Sequence, residues 1–347
     1  MRAVAAHKRE EAAFRALFEE HRARLQAHCY RMLGSLQDAE DALQETMMKA
    51  WRAFPAFEGR SSFSTWCHRI ATNVCIDMLR RRPQRGLPVD HGAPSDPTEP
   101  QEPIHEPVWI EPYPDRELDR AAGQAGPDAR YEQREAVELA FIAALQHLPA
   151  RQRAVLILRD VLGFSAREVA TILATTVASA NGALNRARRR FRERRPDPSQ
   201  QSTLRDLGDG RVRELVARFV RAYEAGDVER ILALLAEDAS FSMPPYPGWC
   251  QGRDALTDSW LMPQGAPGQL RYLPTRVNGQ LALGVYRRAP DTGVFVPACL
   301  DVLTVSGSEI SQVVAFRSMT AFGRYGLPPT LAASSDDFGP RIASTQA

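Results

Sequence analysis

Ten prolines fall between Pro83 and Arg130, in a stretch whose centre reads "LPVDHGAPSDPTEPQEPIHEPVWIEPYPD". Each locks φ and removes a backbone donor, so neither a long helix nor a central strand can cross the segment. Apolar periodicity is weak there too, and residues 83–130 are predicted to be a flexible or partly extended linker with no packed core. At about 3.3–3.6 Å per residue such a linker reaches on the order of 100 Å, enough to join modules that sit far apart on a large partner. The whole chain, at 347 residues, is long enough for two or three domains.

Charge is distributed just as unevenly. Leu148 to Arg195 holds eleven arginines against Asp160, Glu168 and Glu193, a net of +8. Pro88 to Arg130 holds ten acids against Arg116, Arg120 and Arg130, a net of −7. The whole-chain net of +2 hides both blocks. A basic block beside an acidic tether points to a nucleic-acid partner. The five cysteines form no CxxC pair and no zinc-like spacing, so reduced thiols are expected rather than a disulfide framework. The N-terminal "MRAVAAHKREEAAFRALFEEH" lacks the apolar core of a signal peptide, and no apolar run approaches the roughly 18 residues of a membrane helix. A cytoplasmic protein with no membrane anchor is the expectation.

Residues 11–82 read as helices. Phe14, Leu17, Phe18, Leu25, Cys29 and Met32 follow i, i+3, i+4 spacing until Gly34-Ser35 breaks the pattern. In "DAEDALQETMMKAWRAF", Ala39, Ala42, Leu43, Met47, Ala50, Trp51 and Phe54 line one face. Asp38, Glu40 and Asp41 crowd its first turn, where the helix dipole favours carboxylates.

The most specific local signal is "LPARQRAVLILRDVLGFSAREVATILATTVASANGALNRARRRFRER". An apolar helix carrying Val155, Leu156, Leu158, Val161 and Leu162 ends at Gly163. Ser165 and Glu168 then form a capping box for a short helix with Val169, Ile172 and Leu173. A turn at Ala174-Thr175-Thr176 leads into a long helix whose Ala180, Leu184, Ala187 and Phe191 share one stripe. Ala178, Gly182, Asn185 and Arg189 lie opposite, flanked by Asn181 and Arg186. Small and hydrogen-bonding side chains toward bases, with arginines toward phosphates, are what a helix-turn-helix recognition helix needs. Gly182 costs about 1 kcal/mol of helix propensity relative to Ala; it either permits close backbone approach to DNA or is a tolerated weakness.

The stretch "RSSFSTWCHRIATNVCIDMLRRR", residues 60–82, has a buried arc of Cys67, Ile70, Ala71, Val74 and Met78. Arg69, Asn73, Asp77 and Arg80 form the opposite stripe, and Trp66 falls within it. The wheel leaves two uses open for this tryptophan. It stacks on an unpaired base while Arg80, Arg81 and Arg82 meet phosphates, or it covers a neighbouring helix.

Three blocks, in order, resemble the bacterial sigma-70 superfamily in its extracytoplasmic-function (ECF) class. "DAEDALQETMMKAWRAF" resembles the helix that grips the polymerase clamp, "FEGRSSFSTWCHRIATNVCIDMLRRR" the part that melts and reads the −10 element, and the helix-turn-helix the part that reads the −35 element. The resemblance implies core RNA polymerase (β′ clamp and β flap) and promoter DNA as partners. It implies that Asp38, Asp41, Gln44, Glu45 and Lys49 face the core enzyme. Near the separated −10 strand it implies Arg60, Ser61, Ser62, Phe63, Trp66, Arg69, Asn73, Arg80 and Arg81. At the −35 element it implies Ser165, Arg167, Ala178, Ser179, Asn181, Gly182, Asn185, Arg186 and Arg189. It further implies that the acidic linker threads toward the polymerase's active-site and RNA-exit channels.

Residues 211–326 change character. Val212, Leu215, Phe219 and Tyr223 share a helical face, and a second helix follows from Asp227 to Leu235. "TRVNGQLALGVYRR" and "GVFVPACLDVLTVSGSEISQVVAF" then read as strands with hairpin punctuation. An α+β domain with a curved antiparallel sheet is predicted. The stretch "RELVARFVRAYEAGDVERILALLAEDASFSM" with "GRDAL" resembles the SnoaL-like branch of the NTF2-like cone fold, an extension that an actinobacterial group of ECF factors carries. Cone folds enclose a pocket, and some members are isomerases or cyclases using Asp or Tyr as acid–base. Tyr246, Trp249, Tyr286 and Asp301 are the candidate pocket residues; Asp254 is more simply the N-terminal carboxylate of a short helix. No histidine lies beyond His147, so no metal is expected, and no cofactor is called for.

The expected fold is therefore multi-domain: two all-α sigma domains (11–82 and 131–196) joined by the linker, then an α+β NTF2-like cone (211–326) and a loose tail (327–347). The expected function is that of an alternative sigma factor without covalent chemistry of its own, regulated by its C-terminal domain, for which a small-molecule ligand is a further partner to consider. Two alternatives stay open: a stand-alone helix-turn-helix regulator, and a bifunctional protein with an isomerase- or cyclase-like C-terminal domain.

Overall fold

The computed structural model describes residues 2–96, 98–99, 101–106, 108–122, 127–194, 198–259, 267–317 and 322–332. It divides into two compact units. Unit 1 is Met1–Arg85 with Glu117–Pro196, and unit 2 is Gly86–Arg116 with Asp197–Ala347. Among the described residues no helix is long and apolar enough to cross a membrane.

Unit 1 is helical. Its leading elements are α1 (Arg2–Leu33), α2 (Leu36–Ala53) and α3 (Phe63–Leu79). Gly34, at φ 71°, turns the chain out of α1 as glycine readily does, and the Ser35 hydroxyl then caps α2 by accepting the Asp38 N–H at 3.0 Å. Ser62 starts α3 in the same way, accepting the Thr65 N–H at 3.1 Å. The predicted apolar stripes are buried at Phe14, Phe18, Leu25, Cys29 and Met32, but Leu17 is 37% exposed. After α4 (Asp115–Ala122), which enters from unit 2, come α5 (Pro127–Glu135), α6 (Leu139–Gln146), α7 (Ala150–Leu156), α8 (Ala166–Ile172) and α9 (Val177–Arg192).

The helices on either side of the proline-rich segment share one core. The buried Arg153 guanidinium donates to the carbonyls of Met32 and Gln146 and to Gln146 Oε1. Arg31 Nε donates to Ala136 O at 3.1 Å, and the His68 and Phe164 rings meet edge to face at 5.1 Å. Modules held far apart by a long tether are thus replaced by a packed pair. The cause lies in buried arginines that donate to carbonyls across the seam, Arg153 to Met32 O and Arg31 to Ala136 O, a feature that charge counting reads as surface.

Unit 2 contains α10 (Gln200–Leu207), α11 (Asp209–Ala225), α12 (Val228–Leu232) and α13 (Arg253–Thr257), with strands β1 (Leu235–Ser242), β2 (Trp249–Gln251), β3 (Leu270–Val277), β4 (Gln280–Arg288), β5 (Phe295–Ser306) and β6 (Glu309–Arg317). The sheet order is β2-β1-β6-β5-β4-β3. Its pairings are antiparallel except β1 with β6, which is parallel. Phe219 and Tyr223 of α11 pack on a sheet face built from Leu281, Leu283, Leu303, Val305 and Val313. The β3–β4 hairpin turns at Asn278 and Gly279, both with positive φ, the pairing a tight I′ turn demands.

The segment expected to be a loose linker is instead part of unit 2. Trp109, Ile110 and Tyr113 are buried. The Tyr113 N–H donates to Asn278 Oδ1 and the Gly279 N–H to Asp115 Oδ1, both at 2.8 Å. The Ile104 N–H reaches Pro245 O at 2.9 Å, and the Ser95 N–H reaches Trp249 O at 2.8 Å. Proline bars internal secondary structure, yet it leaves an extended strap free to spend its remaining N–H groups and apolar side chains on a neighbour. The start of the expected loose tail packs as well: Leu327 and Leu331 are buried, and Leu331 exchanges two backbone hydrogen bonds with Phe295. Residues 333–347 lie outside the described residues.

Candidate nucleic-acid interface

Three surfaces of unit 1 carry the candidate residues. On α9, Thr176 caps the helix by accepting the Ser179 N–H at 3.1 Å. Ala180, Leu184, Ala187 and Phe191 are buried, which turns the opposite stripe outward. Ala178, Ser179, Asn181, Asn185, Arg186 and Arg189 are exposed, and Gly182 is half-buried. Among the described residues, a Cβ on Gly182 would meet only Arg186 Nη1, at 3.5 Å, an ordinary contact. Nothing inside the fold therefore demands glycine there. Ser165 and Glu168 make the reciprocal capping box at the head of α8, and those bonds, the Ser165 hydroxyl first, hold the Glu168 carboxyl below its usual range. Ser165 is thus spent as a cap, while Arg167 points outward. Arg188, absent from the candidates, is gripped by Asp160 at 2.9 and 2.7 Å and pins α9 to the helical turn that extends α7.

On α3 the polar stripe is real: Arg69, Asn73, Arg80 and Arg81 are exposed. Trp66 is half-buried, its ring 4.9 Å from Phe57 and 5.6 Å from Phe63. Those rings continue into Phe14, Trp51 and Phe54. The tryptophan sits at the edge of an aromatic cluster, which stiffens it and leaves part of its surface open. Ser62 is spent as the α3 cap, Phe63 belongs to the cluster, and Ser61 is half-buried. Arg60 pairs with Glu58 at 2.7 Å and Arg80 with Asp77 at 3.0 Å. Both pairs are exposed and so weak.

On α2 one expectation is overturned. Asp38, placed on the polymerase-facing surface, is 4% exposed and ion-paired with Arg82 and, at 2.8 Å, with Arg85. It holds the chain that leaves α3, and Arg82, though exposed, is paired with it. Asp41 and Gln44 are exposed, and Glu45 pairs with Lys49 at 2.8 Å. Met48, 51% exposed, completes that face. It lies at i+7 from Asp41, off the apolar stripe, which is the signal that could have found it.

Unit 2 holds a cavity of about 490 Å³. Tyr246 and Trp249 line it, together with Phe241, Cys250 and strap residues that include Ser95 and Gln101. Tyr286 and Asp301 do not. The Tyr286 hydroxyl donates to Pro328 O at 2.7 Å. Asp301 is buried beside Cys299, whose thiol donates to it at 3.2 Å, and burial pushes its carboxyl up to about 7. Tyr223 has a buried hydroxyl with no partner among the described residues. Asp254 sits in the first turn of α13. Among the described residues no three His, Cys, Asp or Glu side chains gather as a metal site.

Comparison with known proteins follows the same divisions. Residues 17–85 match the family described as Sigma-70 region 2, residues 132–191 Sigma-70, region 4, and residues 216–313 the SnoaL-like domain. Over 321 residues the chain is 43% identical to the ECF RNA polymerase sigma factor SigG of Mycobacterium tuberculosis, covering 92% of this chain and 85% of that protein. The ECF RNA polymerase sigma factor SigM of the same organism is 31% identical over 52% of this chain and 75% of its own. The crystal structure of the Mycobacterium tuberculosis sigma factor SigJ superposes with a TM-score of 0.53 over 90% of this chain and 99% of that one, at 20% identity, a likeness of fold.

Proposed function

The chain belongs to the ECF RNA polymerase sigma factors, in the form that carries a SnoaL-like domain behind the two sigma-70 regions, and from that membership we propose how its surfaces divide the work. Acting in the cytoplasm, the α2 face of Asp41, Gln44, Glu45, Met48 and Lys49 docks on the β′ clamp of core RNA polymerase. The α9 stripe enters a major groove at the upstream promoter element, with Asn181 and Asn185 toward base edges and Arg186 and Arg189 toward phosphates. Region 4 as a whole also meets the β flap. The edge of Trp66 receives an unstacked base of the downstream element, while Arg69, Asn73 and Arg81 follow its backbone.

The observation that carries this reading is the outward stripe of α9: small and amide side chains in the middle and exposed arginines at the flank, on a helix whose start is capped by Thr176 and which follows the capped α8. A stand-alone helix-turn-helix regulator would need neither the aromatic corner at Trp66 nor the mixed polar and Met48 face of α2. The protein acts by binding, with no covalent step assigned to it.

Unit 2 is the regulator. It grips the strap that connects the two promoter-reading helix sets, and unit 1 packs those sets together through Arg153 and through Thr65 facing Glu168 at 3.5 Å. Reading two separated promoter elements at once requires the seam to open and the strap to release length. Run-off transcription with purified core polymerase tests both parts. The full chain is expected to yield promoter-dependent transcripts, and a chain ending at Arg194 is expected to change basal output. Equal yields from the two would argue against regulation, and failure to bind core polymerase would remove the whole reading.

A further inference from the structure

We propose that the cavity of unit 2 is a binding site for an uncharged, flat and largely apolar small molecule, and that its occupancy locks the strap onto the sheet. The second half rests on the reading that unit 2 regulates by gripping the strap; the first half stands without it.

At about 490 Å³ the cavity falls within the range of roughly 300–1,000 Å³ typical of small-molecule sites. One wall is sheet and aromatic: Phe241, Met243, Tyr246, Trp249 and Cys250. The polar groups at its seam are spent on each other. The Trp249 indole N–H donates to Gly92 O at 2.9 Å. Gln101 Oε1 accepts the Gly248 N–H at 2.6 Å, and its Nε2 donates to Ser95 Oγ at 3.1 Å. Ser95 Oγ in turn donates to Trp249 O at 3.2 Å. The ligand therefore meets ring faces and methylene stems. Among the described lining residues the single charged side chain is Glu99. The Arg317 guanidinium lies over the Tyr246 ring, 5.8 Å from its centroid, outside that lining. A carboxylate, phosphate or sulfonate would therefore face an anion with no cation in the lining to pair it.

The opposite wall is the strap, through Ser95, Thr98, Glu99 and Gln101. A molecule that touches both walls binds the docked strap better than the released one, and by linkage its binding favours docking to the same degree. Gly248 shows how close the two walls come: a Cβ there would run into the Gln101 amide.

The test is a fluorescence titration of the full chain with N-phenyl-1-naphthylamine, an uncharged probe, and with 8-anilinonaphthalene-1-sulfonate, which adds a sulfonate to the same rings. One saturable site is expected for the uncharged probe, with the sulfonate at least about tenfold weaker, since an unpaired buried charge costs more than 1.4 kcal/mol. Gln101→Ala removes one hydrogen-bonded bridge and should weaken the uncharged probe about three- to tenfold. Gly248→Ala should weaken it further, with the far-UV spectrum of each variant unchanged. Saturating uncharged probe should also slow limited proteolysis of the strap around Thr98. No saturable site in a chain that melts cooperatively, equal affinity for the two probes, or indifference to both substitutions would overturn the site. Binding without protection of the strap would overturn the lock. None of these readouts involves polymerase or promoter, so they fail or hold independently of the transcription assay.

Discussion

The helical unit buries bases. His28 and His68 are 0% and 2% exposed, their rings 5.5 Å apart, and burial drives His68 down to about 4 and His28 well below its ordinary value. The sheet unit buries an acid. Asp301, 5% exposed, is pushed up to about 7 by the same loss of water. Desolvation disfavours the charged form in both cases and therefore acts with opposite sign on the two units. The difference teaches that one protein can carry two stability windows: a helical half that weakens in acid and a sheet half that is strongest there.

The largest expected effect tests an exception in the helical unit, the buried Asp38. It is tolerated because Arg82 and Arg85 hold it, and Asp38→Ala takes the counter-charge from the buried Arg85 at a cost of about 3–5 kcal/mol. Urea unfolding should show it, and a loss under 1 kcal/mol would mean that the pair is not what secures the exit from α3. The next effect is the pH contrast itself. Asp301 binds a proton more tightly folded than unfolded, so its contribution is complete below pH 3.8 and is lost as pH rises through about 7, a swing of roughly 4 kcal/mol at about 1.4 kcal/mol per unit. Asp301→Asn should flatten that slope. His68 works the other way. Its contribution is complete above pH 6.5 and is lost as pH falls through about 4, a swing of roughly 3 kcal/mol. His68→Gln should remove it. Melts of the full chain from pH 4 to 8, with the two variants moving the same slope, would break the contrast.

Two smaller effects sharpen the outer surfaces of unit 1. Arg186→Ala should weaken promoter binding across all sequences and reduce the salt slope by about one; a sequence-selective loss would instead place it on a base. Gly182→Ala should stabilise α9 by about 1 kcal/mol, because nothing in the fold opposes a Cβ there. If promoter affinity falls while the melting temperature rises, the glycine serves close approach to DNA. If both rise, it is a tolerated weakness.

The sequence made some of this legible and hid the rest for identifiable reasons. The α9 stripe could be read because Ser165, Glu168 and Thr176 fix the helix starts locally and periodicity alone decides which residues face out. The α11 face and β3–β6 were readable for the same reason. Asp38 was misplaced because its partners lie 44 and 47 positions away, and a first-turn carboxylate looks identical whether it faces solvent or a buried arginine. The strap was misjudged because composition counts prolines and charges but not the three spaced side chains, Trp109, Ile110 and Tyr113, that bury it. Strand β1 was missed because "LAEDASFS" continues the helical pattern of α12 with no breaker between them, and only its pairing with β2 and β6, distant in sequence, makes it a strand. Asp301 and Tyr286 were chosen by residue type; Asp301 shares the core face with Leu283 and Leu303 but lies apart from the cavity lining, and the Tyr286 hydroxyl is spent on Pro328 O.

The account stands on strand opening at the aromatic corner of α3. Permanganate footprinting of a promoter fragment with core polymerase and the full chain is the direct measurement. The chain should produce reactive thymines only when core polymerase is present, and Trp66→Ala should reduce them about tenfold or more, as the loss of a stacked base would, while core binding stays intact. A footprint unchanged by Trp66→Ala, or duplex binding that is indifferent to core polymerase, would contradict it.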